Sequence, residues 1–235
     1  MVRAYHRTPR DCQWIIHAAE GTDDEAGGEL ERLEQLGCLG PNTLIVHGVG
    51  LRETDRAKLI ARGRGLIWCP ASNFFTLGAT AEVCDLARAG RVALGSDSRL
   101  SGSRDLLEEL KCAAQTGQVA ACALFRMVTC DAAALLRLPG AGRLRPGLPA
   151  DLLVLPPLAA DPYEVLLKAE RKDILLVMRD GRPLLSAPEF ASAFEITRVQ
   201  PRRIRVDGEP KLLARPLAQR LAACSIHEPG VECAW

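Results

Sequence analysis

The sequence predicts an α/β fold built on a parallel β-sheet, and three patterns in the first 140 residues support this prediction. Short apolar runs rich in β-branched residues alternate with segments whose leucines recur at helical spacing. The apolar runs lack the two-residue alternation of a half-exposed strand, which indicates strands buried on both faces. Four strand–helix units follow one another, and they fit either half of a (β/α)8 barrel or a small doubly wound sheet.

The predicted elements follow in strict alternation. Strands are expected at 13–19, 42–50, 65–73 and 91–99, with helices at 23–37, 52–63, 80–90 and 103–117. The first helix carries Leu30, Leu33 and Leu36 at helical spacing and ends at a glycine. One more helix precedes a Gly/Pro-rich passage at 139–149, where the pattern changes.

Two further regions are predicted beyond residues 1–140, the expected half barrel. Residues 141–188 contain a strand at 151–155 and two strands within 173–185, joined at Asp180-Gly181, a dipeptide typical of hairpin turns. Residues 189–235 have many arginines and weak apolar periodicity. We interpret them as a basic tail of unknown role, whose charges form a solvated surface.

The composition argues against several kinds of partner and location. A net charge of +1 and a pI near 7.6 give no overall attraction to nucleic acid or anionic membranes. The apolar runs are too short to span a bilayer, and the first residues lack the apolar core of a secretion signal. Nine cysteines without a CxxC pair are typical of free thiols in a reducing compartment. We therefore expect a cytoplasmic protein with no nucleic-acid or membrane partner.

Polar residues lie at the carboxyl end of each of the four predicted strands. They are His17 and Glu20 at the end of the first, His47 at the end of the second, Ser72 and Asn73 at the end of the third, and Asp97 at the end of the fourth. In a parallel barrel the carboxyl ends of all strands face the active-site mouth, so these side chains would converge there. Two imidazoles and two carboxylates in one place fit a divalent metal site with a proton-carrying group.

Each of these residues also has an ordinary structural use. A core histidine can bond a backbone group, and an acid in the first turn of a helix is favoured by the helix dipole. Asp97 can cap the next helix, while Ser72 and Asn73 are common turn and cap residues. Their coincidence at the same end of successive strands favours the functional interpretation.

Four motifs in this order resemble the second half of the amidohydrolase superfamily barrel. They are "IIHAAEG", "LIVHGVGL", "WCPASN" and "VALGSDSRLSGSRDLLEEL". The most similar branch holds cytosine, guanine and S-adenosylhomocysteine deaminases and triazine chlorohydrolases. "GRLRPGLPADLLVL" and "LLVMRDGRPLL" resemble the return of that family into a small β-sandwich, so the resemblance covers roughly residues 12–187. It implies barrel strands five to eight followed by part of the sandwich.

The resemblance also implies a role for each candidate residue. His17 matches the metal-ligating histidine of the fifth strand, and Glu20 matches the glutamate that moves protons between the attacking water and the leaving group. His47 matches a histidine that ligates a second metal or hydrogen-bonds the water or oxyanion. Asp97 matches the eighth-strand aspartate, which binds metal and takes a proton from the water. The implied reaction is hydrolysis of a C–N or C–Cl bond in a small amidine-like or heterocyclic substrate, with zinc as the first candidate metal and iron as the second.

One part of the family pattern is missing, because the sequence contains no HxH motif. Of the other histidines, His6 is interpreted as a solvent or loop residue and His227 as a residue of the tail without a part in the site. Three explanations stay open: a fragment, half of a split enzyme, or an inactive remnant that acts as an interaction module. The first two imply that a missing amino-terminal half barrel, or a second copy of the chain, completes the site. An open half barrel exposes apolar surface, so we expect the isolated chain to associate.

A nucleotide-binding doubly wound domain is disfavoured, because no GxGxxG or GxxxxGK[ST] motif is present.

Overall fold

The computed structural model describes residues 1–233 and divides into two compact units, one from Met1 to Gly142 and one that begins at Arg143. The sequence placed this boundary two residues earlier, in the Gly/Pro-rich passage. No helix in the described part of the chain is long and apolar enough to cross a membrane.

The first unit contains a parallel sheet of four strands in sequence order. They are β1 (Trp14–Ala18), β2 (Thr43–His47), β3 (Gly65–Trp68) and β4 (Val92–Leu94). All five residues of β2 are buried, as expected for a strand covered on both faces. In β1 only the first and last residues are buried, and Ile15 is 48% exposed. The predicted parallel sheet is thus confirmed, with β1 and β4 as its outer strands.

Nine helices accompany this sheet in the described residues. They are α1 (Val2–Arg7), α2 (Asp24–Gly27), α3 (Glu29–Gln35), α4 (Glu53–Ala61), α5 (Pro70–Leu77), α6 (Cys84–Arg88), α7 (Leu106–Gln115), α8 (Ala121–Met127) and α9 (Cys130–Leu135). Side chains of Asp23 and Asp105 accept hydrogen bonds from amides in the first turns of α2 and α7. These are ordinary N-cap contacts, in which the two carboxylates stabilise the starts of the helices.

Two predicted elements have different bounds in the structure. The helix expected at 23–37 is interrupted at Gly28 and becomes α2 and α3. The strand expected at 65–73 ends at Trp68, because Pro70 begins a helix. Proline has no backbone N–H to donate and its fixed φ suits the first helical turn. Ser72 and Asn73 therefore lie in α5 and not at the end of a strand.

The second unit contains an antiparallel sheet of six strands in the order β10-β8-β9-β7-β6-β5. The strands are β5 (Leu152–Val154), β6 (Leu176–Arg179), β7 (Arg182–Ser186), β8 (Pro201–Val206), β9 (Glu209–Ala214) and β10 (Val231–Cys233), and the helices are α10 (Pro162–Lys168), α11 (Ala191–Ile196) and α12 (Arg215–Ala223). The turn between β6 and β7 is Asp180-Gly181, with φ of 50° and 71°. Positive φ at both positions is typical of a type I′ turn, which confirms the predicted hairpin.

The predicted basic tail at 189–235 is wrong for the residues that the structure describes. β8 and β9 form a hairpin, and β9 pairs with β7, so the sheet continues through the expected boundary at 188/189. In β8 the buried Ile204 and Val206 flank an exposed arginine, so alternation is present but short. The turn at Asp207-Gly208 has φ of 50° and 87° and repeats the Asp-Gly signal of the first hairpin.

Candidate metal and catalytic site

Two histidines of adjacent strands, His17 in β1 and His47 in β2, meet at the carboxyl ends of these strands. Parallel pairing places Ala18 beside His47, so the rings of His17 and His47 come within 4.9 Å, centre to centre, and are nearly perpendicular. The carboxylate of Glu20 reaches both rings. Its Oε2 lies 4.0 Å from Nδ1 of His17, and its Oε1 lies 3.5 Å from Nε2 of His47.

The backbone is left-handed at the ends of three of these strands. φ is 53° at Ala19, 73° at His47 and 54° at Asp97. Such values are uncommon outside glycine and often occur at functional sites, where the surrounding structure must hold them. At Ala19 the holding contacts are visible. Its N–H donates to Glu29 Oε2 at 2.6 Å, and its carbonyl accepts from Gly50 N at 2.8 Å.

A chain of hydrogen bonds fixes the orientation of His47, whose side chain is 1% exposed. Asn73 Nδ2 donates to the Thr80 hydroxyl at 3.1 Å, and that hydroxyl also accepts from Trp68 Nε1 at 2.8 Å. Asn73 therefore presents its oxygen to His47 Nδ1, at 2.8 Å. A carbonyl oxygen only accepts hydrogen bonds, so in this arrangement Nδ1 carries the proton and Nε2 carries the lone pair.

The lone pair of His47 Nε2 is buried and has no hydrogen-bond partner among the described residues. At 3.5 Å the Glu20 carboxylate is too far for a hydrogen bond, and as an acceptor it cannot satisfy another acceptor. A buried polar atom without a partner costs free energy, so a cation or a donor group is expected at this position.

The residues present fit a divalent metal. One ligand atom each from His17, Glu20 and His47 lie within 4.8 Å of one another. Imidazole nitrogen and carboxylate oxygen are ligands that zinc accepts. The unpartnered Nε2 and the donor set thus agree, and the structure brings together three of the four residues to which the family resemblance assigns a role.

The fourth residue, Asp97, lies in the loop after β4 and is held by hydroxyl groups. Ser72 Oγ donates a short hydrogen bond to Asp97 Oδ2, and Ser101 Oγ donates to the same oxygen at 3.2 Å. The hydrogen bond from Ser72 is the main cause that lowers the pKa of Asp97; burial partly offsets this effect, and the hydrogen bond from Ser101 lowers the pKa further. Asp97 is thus an anion at neutral pH.

The structure gives Ser72 and Asn73 roles that the strand-end interpretation missed. Both lie in the first turn of α5 and are 0% exposed. One hydrogen-bonds Asp97 and the other His47, so a single helical turn orients two candidate residues. The signal in the sequence was Pro70, which predicts that a helix begins just before these side chains.

The remaining histidines and the nearest thiol stay outside the group. Of the histidines in the described residues, only His17 and His47 belong to it. His6 packs edge-on against Tyr5 in α1. Cys69 directly precedes α5, and burial raises the pKa of its thiol to about 12. A thiol with this pKa stays protonated at neutral pH.

Comparisons with known proteins agree with this arrangement. The model of the amidohydrolase family matches residues 4–184. A 5-methylthioadenosine/S-adenosylhomocysteine deaminase of Haloarcula marismortui is 33% identical over 162 residues, covering 62% of this chain and 37% of the relative. A 5'-deoxyadenosine deaminase of Methanothermobacter thermautotrophicus is 30% identical over 178 residues, covering 68% of this chain and 42% of the relative.

A solved structure of similar fold is an adenosine deaminase of Xanthomonas campestris with bound zinc. It is 25% identical with a TM-score of 0.68, and the match covers 80% of this chain and 50% of that protein. The chain thus spans half or less of the length of these relatives. The match of the family model over most of the sequence confirms the resemblance carried by the four motifs, and the chain belongs to the amidohydrolase family.

Proposed function

We propose that this chain forms the carboxyl-terminal half of a metal-dependent aminohydrolase, which removes an amine from a small heterocyclic substrate by hydrolysis. The observation that carries the proposal is the unpartnered lone pair of buried His47, which faces Glu20 and lies beside His17. This arrangement leaves a place for a cation and a water at the carboxyl ends of parallel strands, where barrel enzymes have their active sites.

The strand order supports a half barrel, with β1 to β4 as barrel strands five to eight. The four strands pair in sequence order without the reversal that characterises doubly wound sheets. The matched relatives are at least twice as long as the matched part of this chain. A missing amino-terminal half barrel, or a second copy of the chain, would then complete the site.

His17 and Asp97 are the proposed metal ligands, with zinc favoured because a related deaminase contains it. The chemistry that zinc supplies is Lewis-acid activation of water. Asp97, ionised with the help of Ser72, accepts a proton from the water. Glu20 carries a proton to the leaving amine nitrogen, since its carboxylate lies at the mouth of the site and is part-exposed. Nε2 of His47, which carries the lone pair, would ligate a second metal or accept a hydrogen bond from the water.

An adenine-type ring is the proposed substrate class. The relatives named above are deaminases of adenosine derivatives, and loss of the exocyclic amine from such a ring is hydrolysis of an amidine-like C–N bond. The nine free thiols support a cytoplasmic location.

Ammonia release tests the proposal. The zinc-loaded chain, combined with the amino-terminal half barrel of a related deaminase to complete the site, is incubated with 5′-methylthioadenosine and with S-adenosylhomocysteine, beside the same assembly carrying Glu20→Gln or a Glu31→Gln control on the exposed face of α3. We expect release by the wild type and the control, and a rate lower by about 100-fold or more in Glu20→Gln, because a proton carrier is lost. Equal rates in wild type and Glu20→Gln would contradict the proposed role.

The alternative is an inactive remnant that acts as an interaction module. It is favoured by the absence of an HxH motif in the sequence and by large apolar side chains on the surface of the first unit, where Phe75 is 72% and Leu100 is 90% exposed. A zinc-loaded chain that releases no ammonia from either nucleoside, yet sediments as a stable complex with another protein, would favour this alternative.

A further inference from the structure

The carboxylate of Glu109 is fully buried and does not belong to the cluster at the strand ends. It lies in α7 and is 0% exposed. Its Oε1 accepts a hydrogen bond from Ala71 N at 2.9 Å, and its Oε2 accepts from Ser103 N at 3.3 Å. A buried carboxylate is expensive unless it is hydrogen-bonded, so these two contacts are what makes its burial tolerable.

The two amides that Glu109 holds belong to two segments that orient the candidate site. Ala71 directly precedes Ser72 and Asn73, the residues that contact Asp97 and His47. Ser103 lies in the loop after β4, two positions beyond Ser101, which donates to Asp97. Glu109 thus joins the first turn of α5 to the loop that carries Asp97.

The carboxylate of Glu109 lies at the amino-terminal end of α5, where a negative charge is favourable. Ala71 is in the first turn of that helix, where backbone N–H groups lack partners within the helix and the helix dipole favours a negative charge. An apolar residue would pack in this core position but could not satisfy either amide. The choice of glutamate therefore fits a task of fixing two backbone segments relative to each other.

We propose that Glu109 is a positioning residue of the site. Its two oxygens fix the first turn of α5 and the loop after β4, so that Asn73 meets His47 and Ser72 meets Asp97. The inference rests on the proposed function, because the residues that it positions are the proposed site residues. Its test uses the metal-free protein without substrate, so its result does not depend on whether the chain binds metal or has activity.

The ¹⁵N NMR signal of the His47 imidazole reports this positioning. In the wild-type chain, the Nδ1–H bonded to Asn73 should give a slowly exchanging signal. Glu109→Gln keeps the shape of the side chain but offers an amide N–H to one of the two backbone donors. We expect exchange of the His47 Nδ1–H to rise about tenfold or more in this variant, and likewise in Asn73→Ala, which removes the acceptor directly. The Glu31→Gln control should leave it unchanged.

The backbone amide of Ile45, in the middle of β2, separates positioning from general loss of stability. If Glu109 positions the site, protection of Ile45 stays as in the wild type while the His47 signal changes. Equal loss of protection at both places, or a His47 signal like that of the control, would overturn the proposal. If Glu109→Gln does not fold, Glu109→Asp is measured instead, since it keeps the charge and shortens the side chain. Equal loss of protection at both places, or a His47 signal like that of the control, would overturn the proposal for this variant too.

Discussion

The two histidines of the candidate site differ in how the chain holds them. The side chain of His47 is 1% exposed and hydrogen-bonded to Asn73, whereas that of His17 is 63% exposed and has Glu20 at 4.0 Å. His47 is the last residue of an inner strand, and His17 is the next-to-last residue of an outer one. The inner part of the site is thus preorganised by this chain, while the outer part lies open at the edge of the sheet.

The two histidines should differ most in how much their replacement by alanine lowers the free energy of unfolding. His47→Ala removes a buried ring and leaves the Asn73 amide oxygen unpaired, so the free energy of unfolding should fall by about 2–4 kcal/mol. His17→Ala should change it by less than about 0.5 kcal/mol, as is usual for exposed side chains. Urea unfolding measures both, and equal losses would contradict the contrast between inner and outer residues.

A smaller loss is expected when the partner of His47 is removed. Asn73→Ala should lower the free energy of unfolding by about 1–3 kcal/mol, because the buried Nδ1–H of His47 loses its acceptor and the half-buried Thr80 hydroxyl loses one of its two donors. The imidazole proton should then distribute between both ring nitrogens, which ¹⁵N NMR detects. A variant that keeps its proton on Nδ1 alone would show that Asn73 does not set the tautomer.

The ionisation of Asp97, which Ser72 of α5 contacts, should make the stability of the protein depend on pH. Ser72 lowers the pKa of Asp97, so Ser72→Ala should raise it toward the ordinary value near 3.8, as a ¹³C carboxyl titration would show. A carboxylate with a lowered pKa in the folded state stabilises the protein above its unfolded-state pKa. This stabilisation is lost as the pH falls through the folded-state pKa.

The difference in stability between wild type and Ser72→Ala should therefore be constant above about pH 5 and shrink in more acidic solution. The matched control is Ser101→Ala, which removes the longer of the two hydroxyl contacts and should shift the pKa less. If the difference in the free energy of unfolding between wild type and Ser72→Ala does not shrink at acidic pH, the hydrogen bond from Ser72 is not what lowers the pKa of Asp97.

The smallest effect is expected at Glu20, whose side chain is 36% exposed. Glu20→Gln should change the free energy of unfolding by less than about 0.5 kcal/mol, since surface contacts of this kind contribute little. A loss as large as that of His47→Ala would mean that Glu20 is a structural residue, and the proposed proton transfer would then need another group.

Sequence patterns predicted the parallel sheet because buried strands with no alternation and helices with regular leucines are strong local signals. The convergence of His17, Glu20 and His47 was also predictable, since parallel strands bring their carboxyl ends to one edge. The orientation of His47 was not predictable. It depends on Asn73, Thr80 and Trp68, whose contacts arise only when the chain is folded.

The second unit shows why the other errors occurred. β8 has only two buried residues, Ile204 and Val206, beside three exposed arginines, so its alternation is too short to stand out against a charged composition. The Asp207-Gly208 turn was nonetheless visible as the same dipeptide that gave the first hairpin. The error at α5, in the first unit, has a different cause. Pro70 marks the start of this helix, but the apolar run before it led to the prediction of a strand that continued to residue 73.

Metal content tests the central claim, that the strand ends of this chain form a divalent-cation site. Wild type, His17→Ala, Asp97→Ala and a His6→Ala control are purified after growth with zinc and analysed by mass spectrometry. His6 lies in α1 and packs against Tyr5, so its loss should leave the site intact. The account predicts about one equivalent of zinc in wild type and in His6→Ala, and background levels in the other two. Equal metal content in His6→Ala and His17→Ala would contradict it.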